Sequence, residues 1–99
     1  MAKKLNSKKI LKEIEKNKEK IRKFGVKKIG LFGSFAKNKQ KPKSDIDVLV
    51  TFEKIRFDNY MELLFFLQRV FNKEIDLVIE GDLKPELKYV KKEAQYVKI

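Results

Sequence analysis

Apolar residues recur along this chain with two periods, and the switches between them mark its elements. Across residues 7–24, Ile10, Leu11, Ile14, Ile21 and Phe24 fall mostly at three- and four-residue spacings among lysines and glutamates, which predicts an amphipathic helix. Ser7 stands where an N-cap is wanted and Gly25 where a stop is wanted. The stripe thins at Asn17 and Lys18, so this helix belongs on the outside of the fold with one edge buried. Val26–Phe32 reads as a first strand, ended by Gly33 and Ser34. Residues 35–39 suit one helical turn, and residues 37–44, polar and carrying Pro42, suit a loop.

The clearest strand is residues 45–52. Ile46, Val48, Val50 and Phe52 share one face, while Asp45, Asp47, Leu49 and Thr51 share the other. Residues 58–71 form a strongly apolar helix with Asp58 as its N-cap. Its apolar surface is wider than a normal stripe. We expect Leu64 and Phe65 in the core, and surplus side chains among Tyr60, Phe66 and Phe71 that fit a dimer or a hetero-complex. Residues 74–80 make a third strand, with Ile75, Leu77 and Ile79 opposite Asp76, Val78 and Glu80, and Gly81 and Asp82 end it. Pro85 opens a last helix over residues 85–95, and residues 96–99 add a short edge strand. The order α-β-α-β-α-β-α predicts a small α/β (α+β) domain, residues 1–99. It has a mixed sheet of three strands, or four, with helices mainly on one face. The three aspartates would then lie on the more open face.

Asp45 and Asp47, two apart on a strand, emerge on the same side with Cα atoms about 6.6 Å apart. Carboxylates so placed repel one another unless a cation sits between them. Mg²⁺ prefers oxygen ligands and needs only one or two carboxylates plus substrate phosphates. Asp76 is an acidic residue inside an otherwise apolar strand, and it joins the pair if the two strands are neighbours. Three carboxylates around two metals form a clamp for in-line phosphoryl transfer. Gly33-Ser34, between a strand and a helical turn, allows a phosphate close to the backbone, with Ser34 donating hydroxyl and N–H. Taken singly, each piece has a commoner structural explanation: a turn, a solvated strand end, a salt-bridged strand residue. Their joint spacing is far more restrictive.

The stretch over residues 29–52, IGLFGSFAKNKQKPKSDIDVLVTF, resembles the signature of the minimal nucleotidyltransferases of the DNA polymerase β superfamily, antitoxins paired with HEPN-domain toxins. The resemblance continues through EIDLVIEGDLKPELKYVKKEAQYVKI at the C-terminal end. It implies the nucleotidyltransferase fold, with Gly33 and Ser34 as nucleotide-phosphate residues. Asp45 and Asp47 match the metal-binding pair and Asp76 the third carboxylate. It further implies two Mg²⁺ ions, ATP as substrate, and transfer of AMP with release of diphosphate. The acceptor it implies is a hydroxyl, a tyrosine of a HEPN toxin partner.

Composition narrows the alternatives. The chain has 99 residues, enough for one core and too few for the thumb or acceptor-binding domains of a template-directed polymerase. The acceptor must therefore be brought by a partner or by an oligomer. With no histidine and no cysteine, imidazole chemistry, thiolate metal sites and disulfides are excluded. No apolar run approaches a membrane span, and residues 1–10 are Lys-rich without an apolar signal region, so a cytoplasmic location is expected. The net charge is +11, yet only Arg22, Arg56 and Arg69 of the 25 basic residues are arginine. Specific phosphate and base readers are richer in that planar fork. We therefore assign the bulk of the charge to a solvated, heat-adapted surface. Two other function classes stay open. One is a non-catalytic antitoxin that neutralises a HEPN partner by covering it. The other, not favoured, is nucleic-acid binding through Lys8, Lys9, Lys12, Lys16 and Lys20, where no aromatic residue is interleaved for stacking. Lys37, Lys39, Lys41 and Lys43 could steer a triphosphate, although a solvated loop accounts for them as well.

Overall fold

The computed structural model describes residues 5–99; residues 1–4, part of the Lys-rich stretch read above, lie outside the described residues. The expected long N-terminal helix is two helices, α1 (Ser7–Lys16) and α2 (Lys18–Lys23), parted at Asn17. The break has a local cause. The Asn17 side chain donates to the Glu13 carbonyl at 2.8 Å, so it competes with the backbone for helical acceptors. The N-cap is Asn6 rather than Ser7, its side chain accepting from the Lys9 N–H at 2.9 Å. Ile10, Ile14 and Ile21 carry the buried edge.

Strand β1 (Val26–Phe32) runs into α3, the single turn Gly33–Ala36, whose Phe35 and Ala36 anchor it in the core. Strand β2 is Ile46–Phe52, so Asp45 stands just ahead of it. Helix α4 (Phe57–Phe71) starts after Arg56, with no side-chain cap, and Asp58 sits inside its first turn. Asn72 closes it in the left-handed conformation. Its buried residues are Leu63, Phe66, Leu67 and Phe71, at helical spacing. Phe66 and Phe71 are thus core, Phe65 points out at 53% exposure, and Leu64 packs on the core edge. Strand β3 is Ile75–Ile79.

The expected C-terminal helix is a broken strap. It consists of 3-10 turns Glu80–Asp82 and Pro85–Leu87, then a short helix α5, Tyr89–Glu93. This segment has too few apolar residues for a continuous stripe, and the chain turns at Ala94 into strand β4, Gln95–Val97. The sheet is mixed and four-stranded, in the order β3-β2-β1-β4. Strand β1 is antiparallel to both β2 and β4, and β2 is parallel to β3.

One face of the sheet carries Ile29, Leu31, Ile46, Val48, Val50, Ile75 and Leu77 into a core shared with α1, α2 and α4. On the opposite face, Phe32 pairs with Asp47, Gly30 with Leu49 and Lys28 with Thr51 across β1 and β2. A bulge between Val26 and Lys28 restores this alternation. The middle of that face is closed rather than open: Leu49 and Val90 are buried there, apart from the main core. The Tyr96 ring covers Gly30, where a Cβ would come within 2.8 Å of it. Among the described residues, no helix is long and apolar enough to cross a membrane.

Candidate active site

The parallel register of β2 and β3 sets Asp47 directly opposite Asp76. Neighbouring strands lie about 4.8 Å apart, so the two carboxyl groups meet. Asp47 is half-buried, and its pKa is pushed up from 3.8 to about 6. Burial is the largest cause, followed by the charge of Asp76, a hydrogen bond shared with the Asp76 carboxyl, and the charge of Asp45. Asp45 is exposed at the mouth, on the same side as Asp47. Its place is held by the loop around it. The Lys73 ammonium donates to the carbonyls of Pro42 and Ser44, both at 3.1 Å, and the Ile46 N–H donates to the Glu74 carbonyl at 3.1 Å.

Phe32 is the register partner of Asp47, so β1 delivers Gly33 to the same place. Gly33 has φ +76°, and a Cβ there would fall on the Asp47 carboxylate, 2.8 Å from its Cγ. Glycine is therefore required twice, by its backbone conformation and by the contact. Ser34 follows, half-buried, at the start of α3.

The sequence-derived residues Gly33, Asp47 and Asp76 are thus brought together, with Asp45 and Ser34 next to them. Among the described residues, no three acidic side chains close into a cage for an ion. The donor set still suits Mg²⁺. It offers hard carboxylate oxygens set opposite one another on neighbouring strands, with sides left for substrate phosphates and water.

From Gly33 and Asp76 a cleft of about 320 Å³ runs under the strap, between Val78 on its floor and Tyr89 and Leu87 on its wall. Lys37 and Glu93 stand at its rim, paired at 3.2 Å.

A family model for the nucleotidyltransferase domain matches residues 7–97. The chain belongs to the nucleotidyltransferase domain family. This nucleotidyltransferase is 39% identical over 82 residues to the protein adenylyltransferase MntA of Thermococcus cleftensis, across 81% of this chain and 83% of that one. It is 43% identical over 86 residues to a Methanocaldococcus jannaschii protein assigned as a protein adenylyltransferase, across 86% and 76% of the two chains. Among solved structures it superposes on one described as a minimal nucleotidyltransferase with a TM-score of 0.80. Identity there is 25%, over 94% of this chain and 97% of that one. A toxin–antitoxin structure with AMP-PNP gives a TM-score of 0.63 at 27% identity, over 93% and 70%.

The nucleotidyltransferase also uses residues that the sequence pattern left without a role. Glu80 is a hub: it accepts from the Thr51 hydroxyl at 2.7 Å and faces the ammonium groups of Lys28 and Lys91, each at 3.7 Å. Gln95 donates to the Ala36 carbonyl at 2.9 Å. Together with the Lys37–Glu93 pair, these contacts fasten the strap over the face that carries Asp47 and Asp76. The only signal in the sequence was Glu80 falling on the same strand face as Asp76. Lys39, Lys41 and Lys43 are exposed on the loop beyond.

Proposed function

We propose that this nucleotidyltransferase, acting as one domain over residues 1–99, transfers AMP from ATP to a hydroxyl of a partner protein, with Mg²⁺ as cofactor. The acceptor is a tyrosine of a HEPN-domain toxin, and the chain is the antitoxin of that pair. The observation that carries this reading is the Asp47–Asp76 pair pressed against Gly33, a cluster of negative charge with a glycine contact at its edge. The named activity of the Thermococcus relative and the AMP-PNP in the toxin–antitoxin neighbour support it.

In this mechanism Asp45 and Asp47 would hold the metal, and Asp76 would complete the set. Mg²⁺ bound there would supply positive charge to phosphate oxygens that the carboxylates alone would repel. The Gly33-Ser34 turn takes the outer phosphates through backbone N–H and hydroxyl. Asp76, exposed on the edge strand, accepts the proton of the attacking hydroxyl. The acceptor oxygen bonds to the α-phosphorus, the bond from that phosphorus to the bridging oxygen breaks, and diphosphate leaves with the electron pair. Positioning and electrostatics carry most of such a reaction.

The test is incubation with labelled ATP, Mg²⁺ and a candidate HEPN-domain partner, with wild type against Asp45→Asn/Asp47→Asn. Aspartate-dependent label on a partner tyrosine is the expected result. Absence of label, with the partner still neutralised by the double variant, would overturn the catalytic reading in favour of neutralisation by complex formation.

A further inference from the structure

We propose that the cleft beneath the C-terminal strap is the nucleobase subsite, and that Tyr89 is the residue on which the base stacks. The proposal rests on the transferase reading above and assigns a part of the site that the carboxylates and the glycine do not. The cleft joins two chemistries. Its inner end holds Gly33 and Asp76, a turn and a carboxylate suited to phosphates and their metal, with Lys37, ion-paired to Glu93, at the rim. Its outer end is walled by Val78, Leu83, Leu87 and Tyr89. A nucleotide has this polarity, with phosphates at one end and an apolar ring face at the other.

The spacing agrees. Asp76 and Val78 lie two residues apart on one face of β3, about 6.6 Å along the strand, which leaves room for a ribose between the phosphate end and the ring. The volume of about 320 Å³ lies within the range of small-molecule pockets. Leu87 and Tyr89 are 40% and 53% exposed, a large apolar and aromatic surface beside a charged site. An acceptor side chain would need only the carboxylate end, so it leaves that wall without a purpose. Stacking reads ring area rather than hydrogen-bond pattern, so the subsite favours purines over pyrimidines and separates adenine from guanine weakly.

Equilibrium binding of ATP and of inorganic tripolyphosphate, each with Mg²⁺, to the full chain tests the assignment. Tyr89→Ala should weaken ATP by about 5- to 150-fold while tripolyphosphate stays within about twofold. Tyr89→Phe should restore ATP affinity, because the ring and not the hydroxyl is used. ATP binding to wild type and Tyr89→Ala alike would overturn the subsite and leave the transferase reading standing. Equal losses for ATP and tripolyphosphate would also overturn it, since the strap and not a base contact would then be at fault. Unchanged ATP affinity with poorer labelling of the acceptor protein would give the wall to the acceptor. A wild type that binds neither ligand would sink the transferase reading and the subsite together.

Discussion

Asp47→Asn should abolish transfer and at the same time stabilise the metal-free protein. Asp47 carries a pKa of about 6 against an ordinary 3.8, so the folded state holds its proton more tightly than the unfolded chain does. Below pH 3.8 both states are protonated and the site costs nothing. Between pH 4 and 6 the unfolded chain ionises first, so stability falls as pH rises. Above pH 6 the carboxylate is ionised in both states and the folded state bears the full penalty. The roughly 2 pH units correspond to about 3 kcal/mol at full burial, and solvent screening of a half-buried group brings this to on the order of 1–2 kcal/mol. The neutral amide removes that penalty, so the melting temperature at pH 7.5 without metal should rise by roughly 5–10 °C for a domain of this size. The gain should shrink towards zero near pH 4. Adding Mg²⁺ should raise the wild-type melting temperature and leave the variant's unchanged, because only the wild type keeps both carboxylates. Calorimetry or circular dichroism across pH reads all of this. Equal melting temperatures at pH 7.5, or a gain undiminished at pH 4, would refute the reasoning.

Gly33→Ala should cost at least about 2 kcal/mol in urea unfolding and abolish labelling, because the new Cβ is strained at positive φ and displaces the Asp47 carboxylate. An active, fully stable variant would show that the turn can relax. Phe66→Ala should cost about 3 kcal/mol, and Phe65→Ala no more than about 0.5, since the first is core and the second points out. Similar costs for both would contradict the helix phase. Lys39, Lys41 and Lys43 changed together to Gln should leave ATP affinity within about twofold even at low ionic strength, as expected of a solvated loop. A loss that disappears on adding salt would instead mean that they steer the triphosphate.

The parts of this fold that were legible are those where one face is buried and the other is not. Strand β2 sets Ile46, Val48, Val50 and Phe52 against Asp47 and Thr51, so its core face could be assigned from the residues alone, whereas the burial of Leu49 on the opposite face could not. Helix α4 was legible as a helix but not in phase. Apolar residues nearly encircle it, so nothing local distinguishes Phe65 from Phe66, and packing against α2 decides, with the Phe24 and Phe66 rings 5.6 Å apart. The break at Asn17 follows from one side-chain hydrogen bond, which a periodicity reading registers only as a thin stripe. The strap was the least legible part. Gln95–Ala36 and Glu93–Lys37 link residues more than fifty positions apart, and no local pattern announces such contacts.

The aspartates were legible because the core sets their register. On the buried side of β2 and β3, Ile46 pairs with Ile75, Val48 with Leu77 and Val50 with Ile79. A slip of one residue would turn Asp47 or Asp76 into the core and an isoleucine row out to solvent. A slip of two would part the carboxylates but leave an apolar residue of β3 without its partner. Ile46, Val48 and Val50 are fully buried, and Ile75 and Leu77 are at most 8% exposed. Burying one such side chain is worth about 1.5–3 kcal/mol. That is comparable with the whole penalty on the Asp47 charge, burial and repulsion together, on the order of 1–2 kcal/mol, so two of these side chains outweigh it. The hydrophobic face thus holds together two carboxyl groups that would otherwise separate, and that enforced contact is what the proposed Mg²⁺ site would use.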